Sequence, residues 1–309
     1  WNYTIGGTWR HFFDNSNLFF VMSRNHLNNT ALKYLDYADE SSEKILDYKS
    51  EEIENKTRLE YNFEKNNYSI NIGANLEDAT YTNNTNQKFT VGQNIITGIN
   101  NSDLHFIKYG VFTQISKTYF TNTLTTSFGL RIDGNSFTES TNSPNLSPRL
   151  SLAYNLNNKI SINSNIGRFY QLPSYTILGF DNNGNYLNKD ADYISCDHAV
   201  IGLEYSPSSY SKITLESFYK SYNNYPFSIL DSISLANLGG DFGVVGNEDI
   251  SSISKGNSYG VELLAQQKMS SSIYGILSAT YYRSRFEDKN DQLISSKWDN
   301  RFILNMTAG

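Results

Sequence analysis

The strongest restriction on the fold lies in the links between strands. Period-two segments recur at Asn2–Phe13, Asn17–Asn25, Ser50–Phe63, Asn67–Asp78, Leu104–Tyr119, Asn122–Phe137, Pro148–Leu156, Lys159–Gln171, Ser195–Tyr205, Ser211–Tyr222, Gly256–Lys268, Ser272–Phe286 and Lys297–Ala308. The links alternate in length. Tight ones at Asp14–Ser16, Glu64–Asn66, Phe120–Thr121, Asn157–Asn158, Ser206–Tyr210 and Met269–Ser271 take turns with long ones. The long ones are His26–Lys49, Ala79–Asp103, Thr138–Ser147, Leu172–Ile194, Asn223–Lys255 and Glu287–Ser296, rich in Asn, Ser and Asp. An antiparallel meander with this rhythm has tight turns at one end and long loops at the other. Transmembrane β-barrels are built that way, whereas a soluble sandwich or propeller has no reason to keep the asymmetry. Most segments also reach the 9–11 residues that a tilted strand needs to cross a bilayer.

The two faces of each segment agree with this architecture. Successive side chains point to opposite sides of a strand. Leu150, Leu152 and Tyr154 oppose Arg149, Ser151 and Ala153, and Leu124, Phe128, Leu130 and Ile132 oppose Arg131 and Asp133. The same split sets Ile213, Leu215 and Tyr219 against Glu216 and Lys220, and Tyr259, Val261 and Leu263 against Glu262. A basic side chain at the lipid-facing midplane costs about 2–4 kcal/mol, so the apolar row meets lipid. The charged row meets water or a polar plug, because unpaired charge in a dry core is too costly. Mean hydropathy is only −0.49, and no run approaches the roughly 20 apolar residues of a membrane helix. A barrel that is apolar on one face only is compatible with both facts.

Composition removes several functions. A net charge of −6 argues against a nucleic-acid partner, which needs a basic footprint. One cysteine leaves no disulfide framework. The four histidines (His11, His26, His105 and His198) are dispersed without metal-ligand spacing. Asp181–Asn185 lacks the glycine position and terminal Glu of a calcium loop. Gly239–Gly243 does not join a strand to a helix, and no Gly-x-Ser-x-Gly elbow occurs. No catalytic residue, metal ligand or cofactor is expected. A short helix is plausible only at Lys33–Lys49. Arg168 shares the parity of Ile160, so a β-bulge near the rim is needed if it is to face inward.

Several motifs resemble the barrel of TonB-dependent outer-membrane receptors. They are Asn145-Leu146-Ser147-Pro148-Arg149-Leu150, then Gly167-Arg168-Phe169-Tyr170-Gln171-Leu172-Pro173, Gly202-Leu203-Glu204-Tyr205 and Leu215-Glu216-Ser217-Phe218-Tyr219-Lys220. Gly256-Asn257-Ser258-Tyr259-Gly260-Val261-Glu262 and Trp298-Asp299-Asn300-Arg301-Phe302 follow in order. The resemblance implies an all-β, antiparallel transmembrane barrel. Residues 1–309 would form one portion of it, with about 13 of the 22 strands that wrap a plug domain in this family; the plug and closing strands are expected to lie outside this stretch. It also implies import of a scarce ligand (siderophore, haem, cobalamin, oligosaccharide or peptide). Import would be driven by an inner-membrane energy-transducing complex through an N-terminal box.

On that reading Arg131, Asp133, Arg149, Glu204, Glu216, Lys220 and Glu262 line the lumen and contact the plug, while outer-membrane lipid covers the other face. The loop tyrosines Tyr175, Tyr186 and Tyr225 are candidates to stack on the ligand. The alternative is a passive or adhesive barrel whose long loops bind a surface partner. A barrel-embedded enzyme would need His clustered with Asp or Ser at one rim, and no such cluster is visible.

Overall fold

A computed structural model describes residues 1–35, 44–91, 94–139, 145–182, 184–238, 245–270 and 273–309. The strands, in chain order, are β1 (Tyr3–Phe12), β2 (Ser16–Tyr34), β3 (Lys44–Lys65), β4 (Tyr68–Val91), β5 (Asn94–Tyr119), β6 (Leu124–Asn135), β7 (Asn145–Asn155) and β8 (Ile160–Gln171). A one-turn helix α1 (Tyr175–Leu178) and the ribbon β9 (Asp181–Asn182) and β10 (Asn185–Tyr186) precede β11 (Ile194–Ser208) and β12 (Ser211–Ser228). Then come β13 (Ile233–Ser234), β14 (Ile250–Ser270), β15 (Ile273–Glu287), β16 (Leu293–Ser295) and β17 (Phe302–Ala308). A single sheet of 15 strands runs from β1 to β8 in chain order, on through β11, β12, β14 and β15, and ends on β16 and β17. Without the short β13 and β16, thirteen strands form the wall (15 − 2), each antiparallel to its neighbour. Among the described residues β1 pairs only with β2, and β17 only with β15.

The tight links are hairpins made by residues that tolerate positive φ. Asn66 and Asn67 have φ of 50° and 65°, the two left-handed positions of a type I′ turn, whose twist matches the flanking strands. At the opposite end two expectations change. Of the expected helix at Lys33–Lys49, the described residues show none: β2 continues to Tyr34 and β3 starts at Lys44, and residues 36–43 lie outside the described region. Ala79–Asp103 is likewise strand on both sides of residues 92 and 93. Past Thr80 and Glu51 the alternation of greasy and polar residues fades because both faces leave the lipid. Backbone pairing needs no greasy face, so the ladder continues.

One face of the sheet carries exposed apolar side chains, among them Leu59, Ile72, Val111, Phe128, Leu150, Leu203, Leu215 and Val261. On β7 this row runs from Leu146 to Tyr154, which at about 3.4 Å per residue and a tilt of about 40° covers about 21 Å, close to the apolar band of a membrane barrel. The row ends in polar groups at the loop end. Arg168 is one of them. Pairing of β8 with β11 is unbroken from Ile194/Gln171 to Tyr205/Ile160, so no bulge re-aims it. It stays on the apolar parity, and its Nε and Nη2 each donate to Asp197 at 2.6 Å, both residues remaining half exposed.

The opposite face holds the only sizeable cluster of buried apolar residues among those described. Ala79 and Tyr81 of β4 and Leu104 and Phe106 of β5 pack against Tyr175, Ile177 and Leu178 of α1, with Leu235 of the β12–β14 loop and Ile250 at the start of β14. Two long loops thus fold back over this face. Gly246 fits the contact because its φ is +91° and a Cβ there would lie 2.5 Å from Ile177 Cγ1. Asn188, fully buried, ties the loops together: its Nδ2 donates to the carbonyls of Ile177 (2.7 Å) and Glu248 (2.9 Å), and its Oδ1 accepts from the Ile250 amide (3.0 Å).

Candidate functional site

Beneath α1 the loop-covered face borders an open cavity of about 440 Å³. Its wall comes from adjacent strands: Glu52 and Glu54 on β3, Asn75 and Glu77 on β4, Lys108 on β5, Arg131 and Asp133 on β6. Register brings these side chains together. Lys56 lies opposite Glu77, which lies opposite Lys108, so bases alternate with a carboxylate along one line of cross-strand neighbours. Lys56 reaches Glu54 at 2.6 Å, and Lys108 pairs with Glu77 and, at 3.3 Å, with Glu54.

Tyr175 closes the cavity from above. Its Oη donates to Glu54 at 2.6 Å, and the Lys108 ammonium donates to that Oη and lies 4.8 Å from the ring centroid. The ring meets Phe106 edge-on at 5.6 Å. Burial, with Glu54 beside it, pushes the phenol well above the ordinary tyrosine range. It therefore stays protonated and keeps its role as a donor to the carboxylate.

A second network adjoins the first. Arg131 Nε donates to Asp133 Oδ2 at 2.7 Å, and Arg131 Nη2 donates to Asn75 at 2.8 Å. Gly110 makes room for it, since a Cβ there would stand 2.5 Å from Asp133 Oδ1 and 2.7 Å from Arg131 Nη2.

Strand pairing places Arg131, Asp133, Arg149, Glu204, Glu216, Lys220 and Glu262 on this same face. Arg131 and Asp133 reach the cavity; Arg149, Glu204, Glu216, Lys220 and Glu262 lie farther round the wall. Glu204 pairs with Lys212 at 2.6 Å. Glu216 and Glu262 face each other directly across β12 and β14. Of the tyrosines, Tyr175 lines the cavity, while Tyr186 donates to the Asp103 carbonyl at 2.5 Å and Tyr225 packs on Phe286 at 4.7 Å. Glu54, Glu77 and Lys108 were not singled out from the sequence. Their even spacing within β3, β4 and β5 marks them as facing the polar side, but only register shows that they meet.

A family model described as TonB-dependent receptor-like, β-barrel, matches residues 1–305. No curated protein matches. Among solved structures the chain resembles the ferric yersiniabactin uptake receptor FyuA from Yersinia pestis, with TM-score 0.69 and 10% identity over 99% of this chain and 46% of that one. It also resembles the siderophore receptor PiuA from Acinetobacter baumannii, with TM-score 0.69 and 11% identity over 99% of this chain and 52% of the other. The copper transporter OprC aligns with TM-score 0.65 and 13% identity over 94% and 47%. At such identities the likeness concerns the fold, and this chain spans about half the length of each. Tight turns at one end, an apolar band on one face and loops folded over a charged opposite face accord with the match along nearly the whole sequence: the chain belongs to the TonB-dependent receptor β-barrel family, whose members are outer-membrane proteins of Gram-negative bacteria.

Proposed function

We propose that this chain supplies barrel wall and ligand-facing loops to an energy-coupled receptor that imports a scarce ligand across the outer membrane. One observation carries the proposal. The two longest described loops pack inward over the charged face, and the β8–β11 loop borders a cavity there, instead of projecting away as adhesive loops would. The charged face is then the lumen, and outer-membrane lipid covers the apolar face. Glu216 and Glu262 are like charges in direct cross-strand opposition, an arrangement that costs energy until a cation sits between them. A plug domain supplies that cation, and its N-terminal box links the receptor to the inner-membrane energy-transducing complex.

The ligand lies in the class siderophore, haem, cobalamin, oligosaccharide or peptide. Two of the similar structures are named for siderophore or ferric-chelate uptake and one for copper, which makes metal chelates the first arm to test. Tyr175, which borders the cavity, is the loop tyrosine placed to meet the ligand; Tyr186 and Tyr225 contribute by holding the loops in position. The test is growth and uptake by a strain lacking the gene, on iron and copper chelates, haem, cobalamin and glycans as sole sources. Import predicts loss of one source, restored by the gene and not by a copy lacking the energy-coupling box. Normal growth on every source would end the proposal.

A further inference from the structure

The lumen face carries a line of basic side chains that form no ion pair among the described residues, although Asp133 lies near enough to Arg149 to act on it through space. Arg149 of β7 lies opposite Gly167 of β8, Gly167 opposite His198 of β11, and His198 opposite Lys220 of β12. These are consecutive positions on one line of cross-strand neighbours, spanning about 14 Å at the usual interstrand spacing. Among the described residues neither Arg149 nor Lys220 has an ion-pair partner, in contrast to Arg131, Lys108 and Lys56 on the same face. Both cations rest on aromatic rings instead, Arg149 at 4.3 Å from the Phe169 centroid and Lys220 at 5.5 Å from that of Phe218. Glu216 and Glu262, the acidic pair on this part of the wall, lie two inward positions farther from the loops, about 13 Å along the strand.

Glycine shapes the gap. Arg149 has a glycine on each side, Gly129 on β6 and Gly167 on β8, and a Cβ at Gly167 would lie 3.0 Å from Arg149 Cγ. The arginine stem therefore lies along the wall, over the bare backbone of Gly167. Two buried polar atoms there have no partner among the described residues. Arg149 Nε has no partner, and neither has Oγ of Ser147, which is the next residue of β7 on the same face and is 1% exposed. Buried donors are normally satisfied. A guanidinium and a hydroxyl set side by side, with an ammonium beyond an imidazole, form a donor array for an anion.

We propose that Arg149, with Ser147 beside it, forms an anion-binding site in the lumen that takes a carboxylate or phosphate group, and that Lys220, beyond His198, extends the same line of positive charge. This rests on the lumen assignment above. Such a group can come from the imported ligand or from an acidic side chain of a lumen-filling domain. The test uses the complete receptor in detergent, as wild type, Arg149→Met, Lys220→Met, the double variant and Arg149→Lys. Citrate, the probe, is titrated calorimetrically, and hydrogen exchange of the lumen-filling domain is followed in parallel. Loss of citrate affinity by at least tenfold in the double variant, with partial recovery in Arg149→Lys, assigns the site to the ligand. Exchange of the lumen domain that rises at least tenfold without citrate binding assigns it to that domain. Unchanged affinity and unchanged exchange in variants that keep the wild-type melting temperature would overturn the proposal. Both readouts are independent of uptake, so a failed growth test leaves this result intact.

Discussion

Replacing Asn188 by alanine should loosen the loops without disturbing the wall. The side chain is wholly buried and makes three hydrogen bonds, two donated to the Ile177 and Glu248 carbonyls and one accepted from the Ile250 amide. A buried bond contributes about 1 kcal/mol net, and a polar group left orphaned costs about 1–3 kcal/mol. Three lost bonds therefore cost about 3 kcal/mol, which corresponds to about a 100-fold larger opening constant. Native-state hydrogen exchange of the complete receptor in detergent reads this directly. Amides in the β8–β11 and β12–β14 loops should exchange about 100-fold faster in the variant, while those of Leu215 and Leu203 in the wall keep wild-type protection. Asn188→Leu separates the causes: it fills the space but leaves the same three backbone groups unpaired, so it should open the loops almost as much. A change below about threefold in the alanine variant, or full protection in the leucine variant, would show that the loops are held by apolar packing and that the polar tie is incidental.

Three further outcomes are expected. Leu150→Arg puts a base on the lipid face and should destabilise the receptor in bilayers by about 2–4 kcal/mol in a denaturant titration, whereas Ser151→Arg, one residue on and facing the lumen, should change little. Glu248 is held in the loop region by burial that pushes its carboxyl above the usual value of 4.5. An acid whose pKa is raised on folding gives stability that is complete below its unfolded pKa and disappears as pH rises through the folded one. Loop exchange should accordingly quicken as pH rises above about 4.5, beyond the intrinsic exchange rate, and Glu248→Gln should flatten that dependence. Tyr175→Phe keeps the contact with Phe106 but removes the bond to Glu54; a charge-assisted bond is worth about 1.5 kcal/mol or more, so half-saturation of uptake should rise about tenfold at unchanged maximal rate.

The wall was legible because each strand carries its own signature. Leu150 and Leu152 against Arg149 and Ser151 need no tertiary information, and the single tight turn at Asn66–Asn67 fixes how β3 meets β4. About thirteen wall strands are expected from the pattern, and thirteen form among the described residues. Where the outward residues turn polar the pattern loses its meaning, which is why β2, β3, β4 and β5 run on through segments that read as loops. The inward fold of Tyr175, Ile177 and Leu178 was not legible either. Nothing local distinguishes an apolar Tyr-Thr-Ile-Leu that lies on lipid from one that lies on Tyr81 and Phe106. Arg168 shows the converse. Its parity was plain, and the outward placement that looked anomalous is stable because Asp197 stands opposite on the next strand.

Charge on the lumen face divides into satisfied and unsatisfied groups, and the division follows what lies over them. Under α1, where this chain covers its own wall, Glu54, Glu77, Lys56, Lys108, Arg131 and Asp133 are all paired, and Glu52 beside them is the exception among the described residues. Farther round the wall, Arg149 and Lys220 form no ion pair among the described residues, and Glu216 faces Glu262 directly across the strands. Such groups add no stability to the wall, and the direct opposition of Glu216 and Glu262 costs some. Their signs are also sorted by height, basic nearer the loops and acidic nearer the tight turns. An occupant complementary to this wall presents an anion above and a cation below. Neutralising only one of the two layers, by Glu216→Gln with Glu262→Gln or by Arg149→Met with Lys220→Met, should leave the other layer holding the same part of that occupant. Hydrogen exchange resolved by segment would show it: each double variant should expose a different segment of the lumen-filling domain, and exposure of one and the same segment by both would refute the two-layer arrangement.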